Sequence, residues 1–444
     1  MKLAPRKFSA RACDASTAGG VAEAKCGRVM AATDAEAAAW SITIMRAARW
    51  KMLAFTDPIL NHSLMEPDLA RMTADLTAMV RIPSVNPYDG PPGPGHREVE
   101  MADWLTASMA AIGLETGRHD VAAGRPNVWG RLRGSGGGPT LMLAGHMDTV
   151  GTDTYGGDPF AATIRDGNLH GRGAVDMKGP LAAMLETARM AKRRGFAGDL
   201  LLMFVVDEEH LMIGSSAAGD HGPHADFCIT CEPTMLAVAP AHKGQSAFPV
   251  TVHGRAVHSS QPELGDNALV HTARLIDGVM KYDKHLQTRV PHPLLGFGRA
   301  TPVLIRGGES HSAVPGEVVL TIDRRTLPAE TATIVRAELA AVIAEAGINA
   351  TIGAPAPDVP GLDTDLTSPI VHAALQATAA ITGSSRPVAF PGGTDAPNFG
   401  CPAVICGPGN LREAHTDDEF IALDQLTKAA ALYDLTAQHL LRAP

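Results

Sequence analysis

Apolar residues recur at helical spacing as Leu69, Met72, Leu76 and Met79, just after Glu66-Pro67, where proline suits a first helical turn. Residues 127–133 and 139–145 read as strands joined by the turn Gly134-Ser-Gly-Gly-Gly138. Pro180 opens a helix whose face carries Leu181, Met184, Leu185 and Ala188, and Gly195 closes it. Residues 200–206 form an unbroken apolar run ending in Asp207-Glu208-Glu209, the pattern of a strand buried on both faces. Residues 227–230 repeat that pattern on a smaller scale and lead to Glu232. Strands alternating with helices predict an α/β sheet covered by helices.

The pattern changes near residue 244. A strand over 246–255 is followed by a helix over 267–281 (Leu269, Ala273, Ile276, Met280) and by strands at 301–305 and 318–327. A second helix over 329–346 (Val335, Leu339, Val342) and a strand at 348–352 complete a β-α-β-β-α-β order, the ferredoxin-like split motif. Helix and strand signals resume near 362 and run to a helix over 426–441. The expected organisation is a discontinuous α/β domain, residues 63–243 and 359–444, with an α+β domain inserted at 244–358. Residues 1–62 stand apart. Lys2, Arg6, Lys7, Arg11, Lys25 and Arg28 face only Asp14 and Glu23 in the first thirty residues, without sustained periodicity. They read as an extension of no assigned role: a tail, a start placed too early, or a transit-like segment.

Composition narrows the function. Of the 444 residues, 45% are hydrophobic and 19% charged, which allows a sizeable core and excludes global disorder. The balance of 38 basic against 47 acidic residues, net −9, argues against nucleic acid as a partner. The longest apolar run, 200–206, is far too short to span a membrane. Six cysteines in this length make no disulfide framework, so a reducing cytoplasm is the default expectation. The 18 histidines draw notice because several lie beside carboxylates.

Five places carry candidate chemistry, each at the end of a predicted strand or in a loop of the α/β domain, where open sheets bind ligands. His146 and Asp148 are two apart, so on a strand they point the same way and the carboxylate can accept the ring N–H of a metal-bound histidine. Taken alone, such a pair is more often structural. Asp176 lies between Gly171 and Gly179 on a tight turn before a helix, and as an isolated residue it reads equally well as a cap. Asp207, Glu208 and Glu209 repel one another unless a cation or solvent compensates. Because neighbours on a strand point apart, one of the two glutamates can bind metal while the other faces the pocket as a proton shuttle. Glu232 adds a carboxylate, whereas Cys228 and Cys231 read as core thiols, since no second pair stands at zinc-ribbon spacing. His415 occupies a loop before the last helix. Two imidazoles with at least three carboxylates form an N,O ligand set for Zn²⁺, Co²⁺ or Mn²⁺, enough for two ions if one carboxylate bridges.

The segments GHMDTV, DPFAATIRDGNLHGRGAVDMKGPLAAML, DEE, CEPT, GRAVHSSQPELGDNAL, DRRTLP, PGGTDAP and GPGNLREAHTDDEF follow one another in order. From about residue 66 to the end the chain resembles the dinuclear metallohydrolase family of acetylornithine deacetylase, succinyl-diaminopimelate desuccinylase and glutamate carboxypeptidase. The resemblance implies a mixed-sheet, zinc-exopeptidase-like catalytic domain with a ferredoxin-like lid and dimerisation domain. It implies two divalent ions per chain, Zn²⁺ first, with Co²⁺ or Mn²⁺ as alternatives. His146, Asp176 and Glu232 would hold one ion; Asp176, Glu209 and His415 would hold the other. Glu208 would be the general base and Asp148 would orient His146. His258 would stabilise the oxyanion, often in the partner subunit's site, and Arg325 would grip a substrate carboxylate. Asn267, Ser312, Gly393 and Thr394 are the further substrate-side positions. Two departures stand out: Leu211-Met212 replace small residues after the glutamate pair, and Ser312 replaces an asparagine three residues before Pro315. The implied activity is hydrolysis of an N-acyl amino acid or similar small amide by a cytoplasmic homodimer. A dipeptidase or carboxypeptidase of the same family is the alternative, and a non-catalytic binding protein that kept the fold is the alternative of another class.

Overall fold

The computed structural model describes residues 65–442; the N-terminal extension expected over 1–62 lies outside them. The larger sheet has six strands in the spatial order Glu115–Ala122, Arg125–Leu132, Asp199–Val205, Thr140–His146, Phe227–Thr230 and Ala403–Ile405. The last four run parallel, and the first two add an antiparallel hairpin at one edge. It is a mixed sheet.

The apolar runs are explained by two cores. Leu141 and Leu143 face one hydrophobic cluster with Leu200, Leu202 and Phe204, while Met142 and Ala144 face the other with Leu201, Met203 and Val205. Side chains of period two, buried on both sides, leave no polar position to mark an alternation. Helices Leu69–Val80, Glu98–Ile112, Gly179–Arg194 and Leu423–Leu440 contribute to the first cluster. Cys228 and Cys231 are buried free thiols in these cores. The chain leaves the Thr140–His146, Asp199–Val205 and Phe227–Thr230 strands at the same edge of the sheet, delivering His146, the 207–209 carboxylates and Glu232 side by side.

Between residues 244 and 359 the chain builds a second sheet. Its main order is Arg299–Gly307, Glu317–Thr326, Gly244–His253, Ala350–Ile352, antiparallel throughout. In sequence terms that is 2-3-1-4, and helices Ala268–Leu286 and Ala332–Ala346 cover the face that carries Val250, Leu320 and Ile322. The Glu317–Thr326 strand alternates buried and partly exposed residues along nearly its whole length. The outermost strand, Arg299–Gly307, exposes Val303, Leu304 and Ile305 at 49%, 54% and 52%.

Candidate metal centre

His146 ends its strand fully buried, and both ring nitrogens face acceptors. Its Nδ1 lies 2.9 Å from the Asp148 backbone oxygen and its Nε2 3.1 Å from Asp176 Oδ1. A neutral imidazole can donate only once, so when Nδ1–H donates to the carbonyl the Nε2 lone pair points at carboxylates. That arrangement is stable when positive charge sits between them. Glu208 Oε2 and Glu232 Oε1 lie 3.9 Å from the same Nε2. On the other side of Asp176, His415 Nε2 is 3.2 Å from Asp176 Oδ2 and 3.2 Å from Glu209 Oε2. Asp176 thus presents one oxygen to each histidine.

The electrostatics point the same way. Burial pushes the Glu208 and Glu232 carboxyls well above the usual range and Glu209 up to about 6. Burial acts on Asp176 too, but its hydrogen bonds with His146 and His415 hold it below the usual range. His415 is pushed up to about 10 by Asp176 and Glu209, and His146 rises against its own burial because carboxylates surround it. The cluster lacks positive charge. Glu209 Oε1 and Glu232 Oε1 are buried without a hydrogen-bond partner, a costly state that a cation relieves. Ligand atoms of His146, Asp176 and Glu232 lie within 4.8 Å of one another, and so do those of Asp176, Glu209 and His415. The residues fit two divalent ions that share Asp176. His415 remains about half exposed, so the cluster opens to solvent on that side.

Local backbone explains the placement. The strand stops at Val205, and Asp207 takes φ +71°, a left-handed conformation unusual for a residue with a side chain. Glu208 and Glu209 therefore sit in a turn rather than on a pleat. The expected opposition of neighbouring strand residues does not apply: both carboxylates stay within reach of His146. His415, at φ +61°, is the second strained residue of the cluster.

Asp148 also departs from expectation. Its backbone oxygen, not its carboxylate, meets His146; the nearer carboxylate oxygen is 3.7 Å from Nδ1. The strand has ended at His146, so strand alternation does not govern residue 148. The carboxylate instead accepts the Glu208 and Glu209 backbone N–H groups at 3.3 and 3.2 Å and Asn86 Nδ2 at 2.7 Å. Asp148 fixes the turn that carries the glutamates. Arg125, Asn86 and the buried pair Arg172–Glu419 were not singled out from the sequence. Arg125 spans Glu98 and Asp207 at 2.6 to 2.7 Å, and Asn86 joins Asp207 to Asp148. The signal that could have flagged Arg172 is its place between two glycines, four residues before Asp176.

The positions expected on the substrate side belong to neither trio. His258 is exposed on the short Val257–His258 strand of the 244–359 segment, with Nδ1 2.8 Å from Ser260 Oγ. No hydrogen bond or ion pair among the described residues links it to the carboxylate cluster. Arg325 pairs with Asp323 at 2.9 Å. Asn267 caps helix Ala268–Leu286, its side chain accepting from the Leu269 N–H. The Ser312 carbonyl accepts from Ser259 N–H, next to His258. Gly393 lies against Val359 and Met212, where a Cβ would meet a Val359 methyl at 3.1 Å. Thr394 is fully buried, its hydroxyl held between His242 Nε2 and the Ala396 N–H.

A sequence profile of peptidase family M20/M25/M40 matches residues 142–439, a stretch containing every residue of the two ligand trios. The chain belongs to this family. As a member of family M20/M25/M40 it is a metal-dependent hydrolase of amide bonds with a centre for two divalent ions. It is 32% identical over 340 residues to an acetylornithine deacetylase of Vibrio vulnificus (strain CMCP6), covering 73% of this chain and 86% of the relative. Among solved structures, aminopeptidase PepT from Bacillus cereus ATCC 10987 superposes with a TM-score of 0.69 at 22% identity, covering 84% of this chain and 99% of that one. The YXEP protein of Bacillus subtilis, described as a dinuclear metal-binding peptidase of this family, superposes at 0.61 with 18% identity over 84% of this chain and 99% of its own. The M20 fold is thereby shared with both.

Proposed function

We propose that this M20 protein removes the acyl group from an N-acyl amino acid or a closely similar small amide. The observation that carries the reading is the sharing of Asp176 between two of the three ligand clusters; the third, His146 with Glu208 and Glu209, sets Glu208 beside them as a carboxylate that those two do not require. Two divalent ions held by His146, Asp176 and Glu232, and by Asp176, Glu209 and His415, would supply Lewis-acid polarisation and an acidified water. Zn²⁺ suits this N,O set best, with Co²⁺ or Mn²⁺ as alternatives.

The protein's own part is proton handling and orientation. Glu208 takes the proton of the attacking water on its carboxylate and returns it to the leaving amine as the C–N bond breaks. Asp148 keeps that carboxylate in place through the backbone of the 208–209 turn. His258 donates a hydrogen bond to the oxygen that gains negative charge. It reaches that oxygen by closure of the 244–358 segment, read as an inserted domain, or from a second copy of the chain. Arg325, and beside it Asn267, Ser312, Gly393 and Thr394, form the substrate side, Thr394 by holding its loop. Dimerisation through the inserted sheet is supported by the exposed apolar edge of Arg299–Gly307. We place the enzyme in the cytoplasm; no helix among the described residues is long and apolar enough to cross a membrane.

The test is a panel of N-acetyl and longer N-acyl amino acids, acetylornithine among them, alongside dipeptides and tripeptides. Release of the free carboxylic acid and the amino acid from the N-acyl compounds, at higher kcat/KM than for peptides, is expected. Preferential cleavage of peptides would replace this reading with a peptidase one.

A further inference from the structure

We propose that Arg172 and Glu419, an ion pair outside the ligand set, are positioning residues for the His415-side ion, so that breaking the pair weakens the second ion far more than the first. The inference rests on the dinuclear reading above. Both side chains are buried, at 1% exposure each, and they meet at 2.6 Å. Most of their remaining side-chain bonds go to the segments that carry Asp176 and His415. Glu419 Oε1 accepts the N–H groups of Val175 and Asp176 at 3.0 and 3.2 Å, so a fixed anion holds the backbone of the shared ligand itself. Arg172 Nη2 donates to the carbonyl of Thr416, next to His415, at 3.2 Å, and Nε donates to Gly151 O at 3.2 Å. The Tyr155 ring lies under the guanidinium at 5.4 Å. One pair therefore ties the Asp176 turn to the His415 loop.

The two ions depend on it unequally. The first has His146 at the end of a central strand and Glu232 directly after another, and these stay in register without the pair. The second has only Asp176, on the irregular helical segment Ala174–Lys178, and Glu209 and His415, both on turns. Glu209 is held separately, through Asp148. Asp176 must also keep Oδ1 toward His146 and Oδ2 toward His415, and a small rotation of its backbone loses one of these. Stability alone is a poor reason for such a pair, because buried ion pairs can often be replaced by apolar residues at little cost. Groups that orient metal ligands typically change affinity by about 10- to 100-fold when removed.

The experiment uses the full chain, stripped with a chelator and titrated with Zn²⁺ by calorimetry, with bound metal counted after gel filtration. For Glu419→Gln we expect the second ion weakened about 10- to 100-fold and the first, which keeps His146 and Glu232, weakened far less. Asp434→Asn is the matched control: that carboxylate is equally buried and paired with Arg194 at 2.8 Å, but on the C-terminal helix. It should lose thermal stability and keep both ions. Arg172→Lys retains the charge beside Glu419 without the fork that reaches Thr416 and Gly151, so it should weaken the second ion to a smaller degree. Equal affinities for both ions in Glu419→Gln and wild type would overturn the proposal, as would loss of the second ion in Asp434→Asn. If Glu419→Gln does not fold, an unchanged second affinity in Arg172→Lys overturns it. A wild-type protein that takes up one ion only defeats the dinuclear reading instead.

Discussion

Glu208 differs from its neighbours in what it is free to do. Glu209 and Glu232 belong to the two trios joined by Asp176, whereas Glu208 groups only with His146, 3.9 Å away, and Glu209, on a turn pinned by Asp148. Glu208→Gln preserves the shape and removes the proton acceptor. We expect kcat to fall by about 10²- to 10⁴-fold with two ions still bound, read by steady-state kinetics and metal analysis on the same sample. A near-normal kcat, or loss of an ion, would reassign the residue. The candidate ligands were legible in the sequence because His146, Glu209 and Glu232 follow apolar runs and Asp176 lies in a glycine-flanked turn, whereas His415 came only from the order of motifs that resembles a known family. The supports were not. Arg125 and Glu419 look like any surface charges in a string of letters; only the fold buries Arg125 against Asp207 and Arg172 against Glu419. Asp148 was legible as a residue near His146 but not in its geometry, because that depended on where the strand stops.

Among the elements, the continuous apolar runs and the proline-opened helix were found with their bounds, whereas others were missed or left without bounds. The 200–206 run and the Pro180 helix correspond to Asp199–Val205 and Gly179–Arg194 within a residue or so. The strand Glu115–Ala122 has no buried position and no apolar alternation, and it exists by pairing with Arg125–Leu132. The helix Pro369–Thr382 packs through small alanines (Ala373, Ala374, Ala377), which carry little periodic signal. In the second sheet the informative element is the outer strand. Three consecutive exposed apolar residues on an unpaired edge favour association. Leu304→Asp places a charge at their centre. The wild type should sediment as a dimer and the variant should shift toward monomer at the same concentration, with its circular dichroism unchanged. A monomeric wild type, or a variant that stays dimeric, would remove this edge from the interface.

At the scale of the whole molecule, the larger sheet supplies rigid ligands from strand ends and the loops supply the rest, gathering at least four acidic side chains around two imidazoles. That crowding is tolerable only with added positive charge, and family M20/M25/M40 meets the need with metal. If the protein is a hydrolase working through two ions that share Asp176, a stoichiometric reload reveals it. The protein is stripped with a chelator, Zn²⁺ is added back in steps, and hydrolysis of N-acetyl amino acids is followed at each step. We expect no turnover in the stripped protein and activity that reaches its plateau when two ions per chain are bound. Activity that survives stripping, or a plateau with metal bound at neither trio, would contradict the two-ion reading.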